Sequence, residues 1–382
     1  MFTILKKSQN ARTGVLTIGT KKIQTPFFMP VATKGTIKCL TMSQLADTQT
    51  PCVIQNSLIH SLKPGVEVIE NAGGLHAFQN WNGGIFTDSG GFQILLDEFF
   101  LKRTDDGIYF KNPFTGSKML FTPQKSMHIQ QALGSDVAMA FDDVARYGSS
   151  KELADKALEH SHEWAKICVK EHKLAPKKTN PHQLLFCIAH GNTFKDLREK
   201  SAHLLNTIDC DGYAIGGVAI GEPTEDLFMA IQTQTLILKE EKPKYVMGLG
   251  SPADIVKAVR LGCDIFDSIF PTQSARRGTL FTFQGPVRIK RKEYATDYTP
   301  IDSDCDCYTC RNHTKAYLHH LFKVYEQSAH TLATIHNIRF MKRLMDKIAH
   351  HIEQNTLTEF EEQMQKAYHR EKRGGEYFQY NE

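Results

Sequence analysis

The chain has 382 residues, with 46 lysines and arginines against 42 aspartates and glutamates and a net charge of +4. Its 41% hydrophobic and 23% charged content is that of an ordinary globular enzyme, and its small net charge is too low to prove a nucleic-acid partner. No apolar run approaches the length of a membrane span. The N-terminal Phe2–Leu5 is too short for a secretory core and has Lys6 and Lys7 behind it rather than ahead, so we expect a cytoplasmic protein with no membrane partner.

Residues 1–25 alternate apolar and polar positions between turns at Asn10, Gly14 and Gly19, and read as a small antiparallel sheet of Phe2–Leu5, Gly14–Ile18 and Lys22–Gln24. Eight short apolar runs follow: Phe27–Ala32, Cys52–Gln55, Ile85–Thr87, Val137–Phe141, Leu184–Ile188, Gly212–Ile215, Tyr245–Leu249 and Asp264–Phe266. Nearly every gap holds a helical pattern, as in Val66–Asn71, Pro123–Leu133, Lys151–His172, Thr193–Asn206, Glu225–Leu238 and Pro252–Arg260. Eight buried strands alternating with helices predict an α/β fold, a (β/α)8 TIM-type barrel over 26–276. The competing open, doubly wound sheet would carry a glycine-rich phosphate loop after an early strand, and none is present. A hairpin interrupts the third unit, with strands at Ile108–Phe110 and Lys118–Phe121 around a turn at 112–117. From 277 to 373 we expect a zinc-binding, mostly helical subdomain, and from 374 to 382 a frayed tail.

In such a barrel the chemistry sits at the carboxyl ends of the strands. The residues there are Asn56, Asp88, Asp142, His190, Gly216 and Gly217, Met247 and Gly248, and Asp267. Asp88 opens Asp88-Ser89-Gly90-Gly91-Phe92-Gln93, whose glycines allow close backbone approach, and Asp267 ends the eighth run in Asp267-Ser268. Two aspartates ending two buried strands are what a paired-carboxylate enzyme needs, although each taken alone serves as well to cap the turn that follows.

Six of the nine cysteines, Cys39, Cys52, Cys168, Cys187, Cys210 and Cys263, lie mostly in apolar runs, as buried thiols do in a reducing compartment. Cys305, Cys307 and Cys310 instead form C-x-C-x2-C, and His336 completes a soft tetrahedral donor set suited to one structural Zn2+. His313, His319, His320 and His330 are the other histidines within reach in sequence. Arg276, Arg277, Arg288, Lys290, Arg291 and Lys292 fall within seventeen residues free of acids, just after Asp267, a placement suited to RNA phosphates.

These motifs together resemble the tRNA-guanine transglycosylases over nearly the full chain. The resemblance is carried by Thr87–Gln93, Leu133–Asp136 through Asp142, Asp211–Gly217, Met247-Gly248, Phe266-Asp267-Ser268 with Pro271-Thr272, and the Cys305, Cys307, Cys310 and His336 set. It implies a barrel enzyme, usually a homodimer, that replaces the wobble guanine of tRNAs with a GUN anticodon by a free 7-deazaguanine base. It assigns Asp267 as the nucleophile on the ribose and Asp88 as general acid and base. It places Asp142, His190, Gly217, Val218 and Asn56 against the base, with Phe92 and Met247 sandwiching its ring. Arg276, Arg277, Gln273, Arg288 and Lys290 would hold the anticodon loop.

The chain departs from the usual bacterial pattern around the base. Val144 replaces a cysteine, His190 a glutamine, Gln273 an arginine, Arg277 an asparagine and Phe92 a tyrosine, and Asn56-Ser57-Leu58-Ile59 stands for Asn-Thr-Tyr-His. Val144 points to queuine, whereas Ile220 and Glu222 point to the smaller 7-aminomethyl-7-deazaguanine, which we expect to be the substrate. The rival readings are a non-catalytic RNA-binding partner subunit, which has no need of Asp88 and Asp267, and a diverged transglycosylase acting on DNA or another RNA.

Overall fold

Strands β1 (Phe2–Ser8), β2 (Ala11–Ile18) and β3 (Lys21–Thr25) form an antiparallel sheet in sequence order. The computed structural model describes residues 1–95, 98–174 and 179–368; the expected frayed tail, 374–382, lies outside them. The barrel strands are β4 (Phe27–Pro30), β5 (Cys52–Gln55) and β6 (Gly84–Thr87). After a separate three-stranded sheet of β7 (Phe100–Thr104), β8 (Gly107–Lys111) and β9 (Lys118–Phe121) come β10 (Val137–Met139), β11 (Leu184–Ala189), β12 (Gly212–Ile215), β13 (Lys244–Val246) and β14 (Ile265–Ser268). The eight barrel strands are parallel neighbours in the order β4-β14-β13-β12-β11-β10-β6-β5. A parallel bridge between Val31 and Ile54 joins the two ends and returns the sheet on itself.

Both faces of these strands are apolar because both are covered. Phe27, Met29, Cys52, Ile54, Phe86, Val137, Met139, Phe186, Ile188, Ala214, Tyr245 and Ile265 fill the interior. The alternate residues, among them Val53, Ile85, Ala138, Leu185, Cys187 and Tyr213, pack outward under the helices. The N-terminal sheet closes the bottom: its Leu16, Ile18 and Ile23 join the interior cluster. Arg12 makes a buried bidentate pair with Asp264 at 2.8 and 2.7 Å, and Lys21 donates to Asp136 at 2.9 and 2.7 Å.

Several elements differ from the sequence expectation. The runs at Val137–Phe141 and Tyr245–Leu249 leave the ladder early, at Met139 and Val246, and Phe141 and Leu249 pack into the outer apolar clusters. The expected hairpin gains a third strand, β7, paired with β8. The helix Met42–Asp47 had a legible start in the Thr41–Gln44 capping box. The helix Phe270–Arg277 follows β14 directly, with a proline in its first turn. The last long helix, Ser328–Gln354, packs Phe340, Met341, Leu344 and Met345 onto Ile255, Val256 and Val259 of the barrel.

Candidate active site and metal centre

The alternation that fills the barrel also builds its mouth. Two residues beyond an inward-facing strand residue the next side chain again points inward. By that count Asn56 follows Ile54, Asp88 follows Phe86, His190 follows Ile188, Gly216 follows Ala214, Met247 follows Tyr245 and Asp267 follows Ile265. The tenth strand breaks the count: Phe141 turns outward to stack on Trp164 at 4.9 Å, and Asp142 takes the inward place.

Asp267 is nearly buried, and its Oδ1 accepts the Tyr245 hydroxyl at 2.5 Å and the Gly248 amide at 2.8 Å. Burial raises its pKa while those two donors oppose the rise. Burial beside Asp267 holds the Tyr245 phenol well above its ordinary range, so it remains a donor. Asp88 accepts the Ser57 amide at 3.0 Å and the Gly90 amide at 3.2 Å through Oδ1. Burial pushes Asp88 up to about 7; the two amides oppose this, and the charges of Asp142 and Asp267 add to it. Three carboxylates from three strands thus face one another across the mouth, and one of them is tuned to neutral pH.

Asp142 has a donor on each oxygen, the Ser89 hydroxyl at 2.6 Å and His190 Nε2 at 3.0 Å. Gly91 approaches so closely that a Cβ there would stand 2.6 Å from the Asp142 carbonyl oxygen. Met247 sulfur lies 3.6 Å from where a Gly216 Cβ would be, and Val144 and Val218 are buried nearby. Gly217 has φ +61, and its carbonyl and that of Gly216 accept from Arg198 at 2.8 and 2.7 Å. Phe92 is partly buried against the core, and Asn56 caps the helix Ser57–His60 through the Ile59 amide at 2.7 Å.

Three residues that shape this mouth escaped the sequence reading as site residues: Tyr245, Ser89 and Arg198. Arg198 is fully buried and also donates to the Asn192 carbonyl at 2.7 Å and to Gln234 at 3.3 Å. Burial without a paired carboxylate pushes it down to about 10, against the pull of Glu222. Glu222 accepts the amides of Ala219 and Ile220, fixing the loop after β12. Only the alternation could have flagged Tyr245, as a hydroxyl among purely apolar interior positions.

The predicted RNA contacts fall on one side. Gln273, Arg276 and Arg277 lie on the helix Phe270–Arg277 that leads away from Asp267; Arg277 is exposed and Arg276 half-buried. Arg288 and Lys290 are exposed just beyond it.

Cys305, Cys307, Cys310 and His336 are buried with all four donor atoms within 4.8 Å of one another. His336 Nδ1 lies 3.7, 3.7 and 3.3 Å from the three sulfurs. A tetrahedral ion with Zn–S near 2.3 Å and Zn–N near 2.0 Å needs ligand separations of about 3.5–3.8 Å, so the set fits. His336 Nε2 donates to the Phe281 carbonyl at 2.8 Å, which leaves Nδ1 its lone pair. Three of the four rival histidines are engaged elsewhere, His319 against the Ile289 carbonyl, His313 stacked on Tyr317 and His330 against Phe322, and His320 is exposed. Asn337, next to the ligand, donates to the carbonyls of Pro271 and Thr279 at 2.9 and 3.0 Å, tying the metal helix to the helix after Asp267.

Among the described residues no helix is long and apolar enough to cross a membrane. The family model described as queuine tRNA-ribosyltransferase matches residues 7–370. A queuine tRNA-ribosyltransferase from Thermoanaerobacter pseudethanolicus is 42% identical over 369 residues, covering 96% of this chain and 97% of the relative. One from Vibrio vulnificus is 42% identical over 370 residues, covering 97% of each chain. One from Acinetobacter baylyi is 43% identical over 359 residues, covering 94% of this chain and 92% of the relative. The chain belongs to the queuine tRNA-ribosyltransferase family.

Proposed function

We propose that the protein is a tRNA-guanine transglycosylase of queuosine formation, exchanging the wobble guanine of GUN-anticodon tRNAs for 7-aminomethyl-7-deazaguanine. The observation that carries the mechanism is the unequal pair at the mouth: Asp267 anchored by Tyr245 and Gly248, and Asp88 raised to about 7.

Asp267 attacks C1′ of the wobble nucleotide through its second oxygen as the C1′–N9 bond breaks, giving a ribosyl–aspartate ester. Asp88, close to half protonated near neutral pH, gives its proton to the departing guanine and then takes one from the incoming base. The new base attacks C1′ and Asp267 leaves, so the configuration is retained as in two-step glycosidases. Asp142 and His190 meet the base edge, Gly217 and Val218 supply backbone groups, Asn56 braces the wall beside Asp88, and Phe92 and Met247 cover the ring faces.

Cys305, Cys307, Cys310 and His336 would hold one structural Zn2+, since four protein donors leave no position for water. Asn337, beside the ligand His336, would pass the order of a filled site to the helix that carries Gln273, Arg276 and Arg277 toward the anticodon loop. The assembly we expect is a cytoplasmic homodimer.

The test is exchange of labelled guanine into unmodified GUN tRNA. Asp267→Ala should abolish exchange and the covalent RNA adduct while keeping the metal content. Exchange at the parent rate in that variant refutes the nucleophile assignment.

A further inference from the structure

Base exchange on tRNA brings a polyanion to this mouth. On that reading we infer that the outer face of the β7–β9 sheet is a second RNA-binding surface, which holds phosphates of the anticodon stem-loop on the side of the mouth opposite the helix Phe270–Arg277. The sheet is inserted between the neighbouring strands β6 and β10. In the closed ring, β10 stands four strands from β14 in either direction. The sheet and the helix that follows β14 therefore flank the mouth from opposite sides.

The inner side of the sheet fixes it to the mouth. Arg103 donates to Asp143 Oδ1 at 2.6 Å and to the Val144 carbonyl at 3.2 Å, beside Asp142. The Phe121 ring lies 3.2 Å from where a Cβ on Gly90 would stand, beside Asp88. Ile108, Phe110 and Phe121 are buried beneath the sheet, and alternation turns their neighbours outward. The register sets Lys102 opposite Tyr109, Tyr109 opposite Leu120, and Lys111 opposite Lys118. Lys102, Lys111 and Lys118 are exposed, and Nζ of Lys102 and of Lys118 lies 4.9 and 4.6 Å from the centroid of the Tyr109 ring. Lys63, on the segment after β5, extends the face: its Nζ lies 5.7 Å from the ring of Phe114, which is exposed in the turn between β8 and β9.

Folding alone does not favour this arrangement. Like charges directly opposite one another destabilise a sheet, and Lys111 and Lys118 are such a pair. The ion pairs of the sheet lie on its inner side and at its far turn, Arg103 with Asp143 and His160 with Asp105, and among the described residues none of the four lysines is paired with a carboxylate. Asp105 and Asp106 stand in the turn between β7 and β8, at the opposite end of the sheet from Lys111 and Lys118. Lysines on edge strands guard a sheet against pairing with another, which accounts for Lys102 and Lys118; Lys111, on the central strand, has no such use. An anion on the face relieves the repulsion. A lysine ammonium takes a phosphate as a point charge on a flexible stem, so the face suits a backbone of repeated phosphates without demanding one orientation.

The experiment measures binding of a labelled GUN anticodon stem-loop RNA to the full-length protein across about 50–200 mM salt. Lys102→Gln, Lys111→Gln and Lys118→Gln combined should reduce the slope of log affinity against log salt by about two to three, and weaken binding about ten- to hundredfold near 0.1 M salt. Arginine at the same three positions should restore both. The control combines Lys6→Gln, Lys22→Gln and Lys239→Gln, which removes the same charge from exposed positions at the other end of the barrel and should keep the parental slope. A parental slope in the first variant, an equal loss in the control, or no recovery with arginine would each overturn the inference. RNA binding that depends on the sheet without any guanine exchange keeps this surface and sinks the base-exchange reading, whereas a protein that binds no stem-loop at any salt sinks both.

Discussion

Tyr245→Phe removes one hydroxyl from the barrel interior and keeps the ring. That ring is wholly buried, 6.2 Å edge-on to Phe86, so phenylalanine fills the same space. What is lost is the 2.5 Å donation to Asp267 Oδ1; the Gly248 amide remains. A hydrogen bond to a charged group contributes roughly 1.5–3 kcal/mol, equivalent to about ten- to hundredfold in an equilibrium. The sign follows from the two causes already acting on Asp267. Burial raises its pKa and Tyr245 opposes the rise, so removing the hydroxyl raises it further and depletes the ionised nucleophile at low pH. The acid limb of adduct formation should therefore move to higher pH. Single-turnover formation of the tRNA–protein adduct, followed across pH in parent and variant, should show a deficit of about ten- to hundredfold on the acid side that narrows as pH rises. Superimposable profiles, or a deficit equal at every pH, would refute the reasoning, because the first denies the coupling and the second assigns Tyr245 to placement alone.

Asp88→Asn should abolish exchange and yet stabilise the fold at alkaline pH. The folded protein holds the Asp88 proton up to about 7 against 3.8 when solvated, so stability declines as pH climbs through that window and the cost is complete above it. We expect the variant to be more stable at pH 8 by roughly 1–3 kcal/mol, the gap closing by pH 4 in thermal melts; a gap independent of pH would contradict this. Cys310→Ser should remove the metal, measured by elemental analysis as about one zinc per parent chain, and lower the melting temperature; a variant that keeps both refutes the structural assignment.

Local chemistry made much of this protein readable from its sequence. Apolar runs punctuated by helical patterns specify parallel strands because each is covered on both faces, and C-x-C-x2-C is a metal signature within one turn of chain. Asp88, Asp142, His190 and Asp267 were legible as polar groups interrupting apolar runs. The tertiary structure decided what depends on distance through space. It closed the sheet through Val31 and Ile54, and it selected His336 from its neighbours because only its Nδ1 reaches the three sulfurs. It also brought Tyr245 under Asp267, Ser89 and His190 onto Asp142, and Arg198 beneath the Gly216 and Gly217 carbonyls. No sequence pattern records such contacts, because each joins residues on different strands, loops or helices. Only the closure of parallel strands at one register turns them into a site.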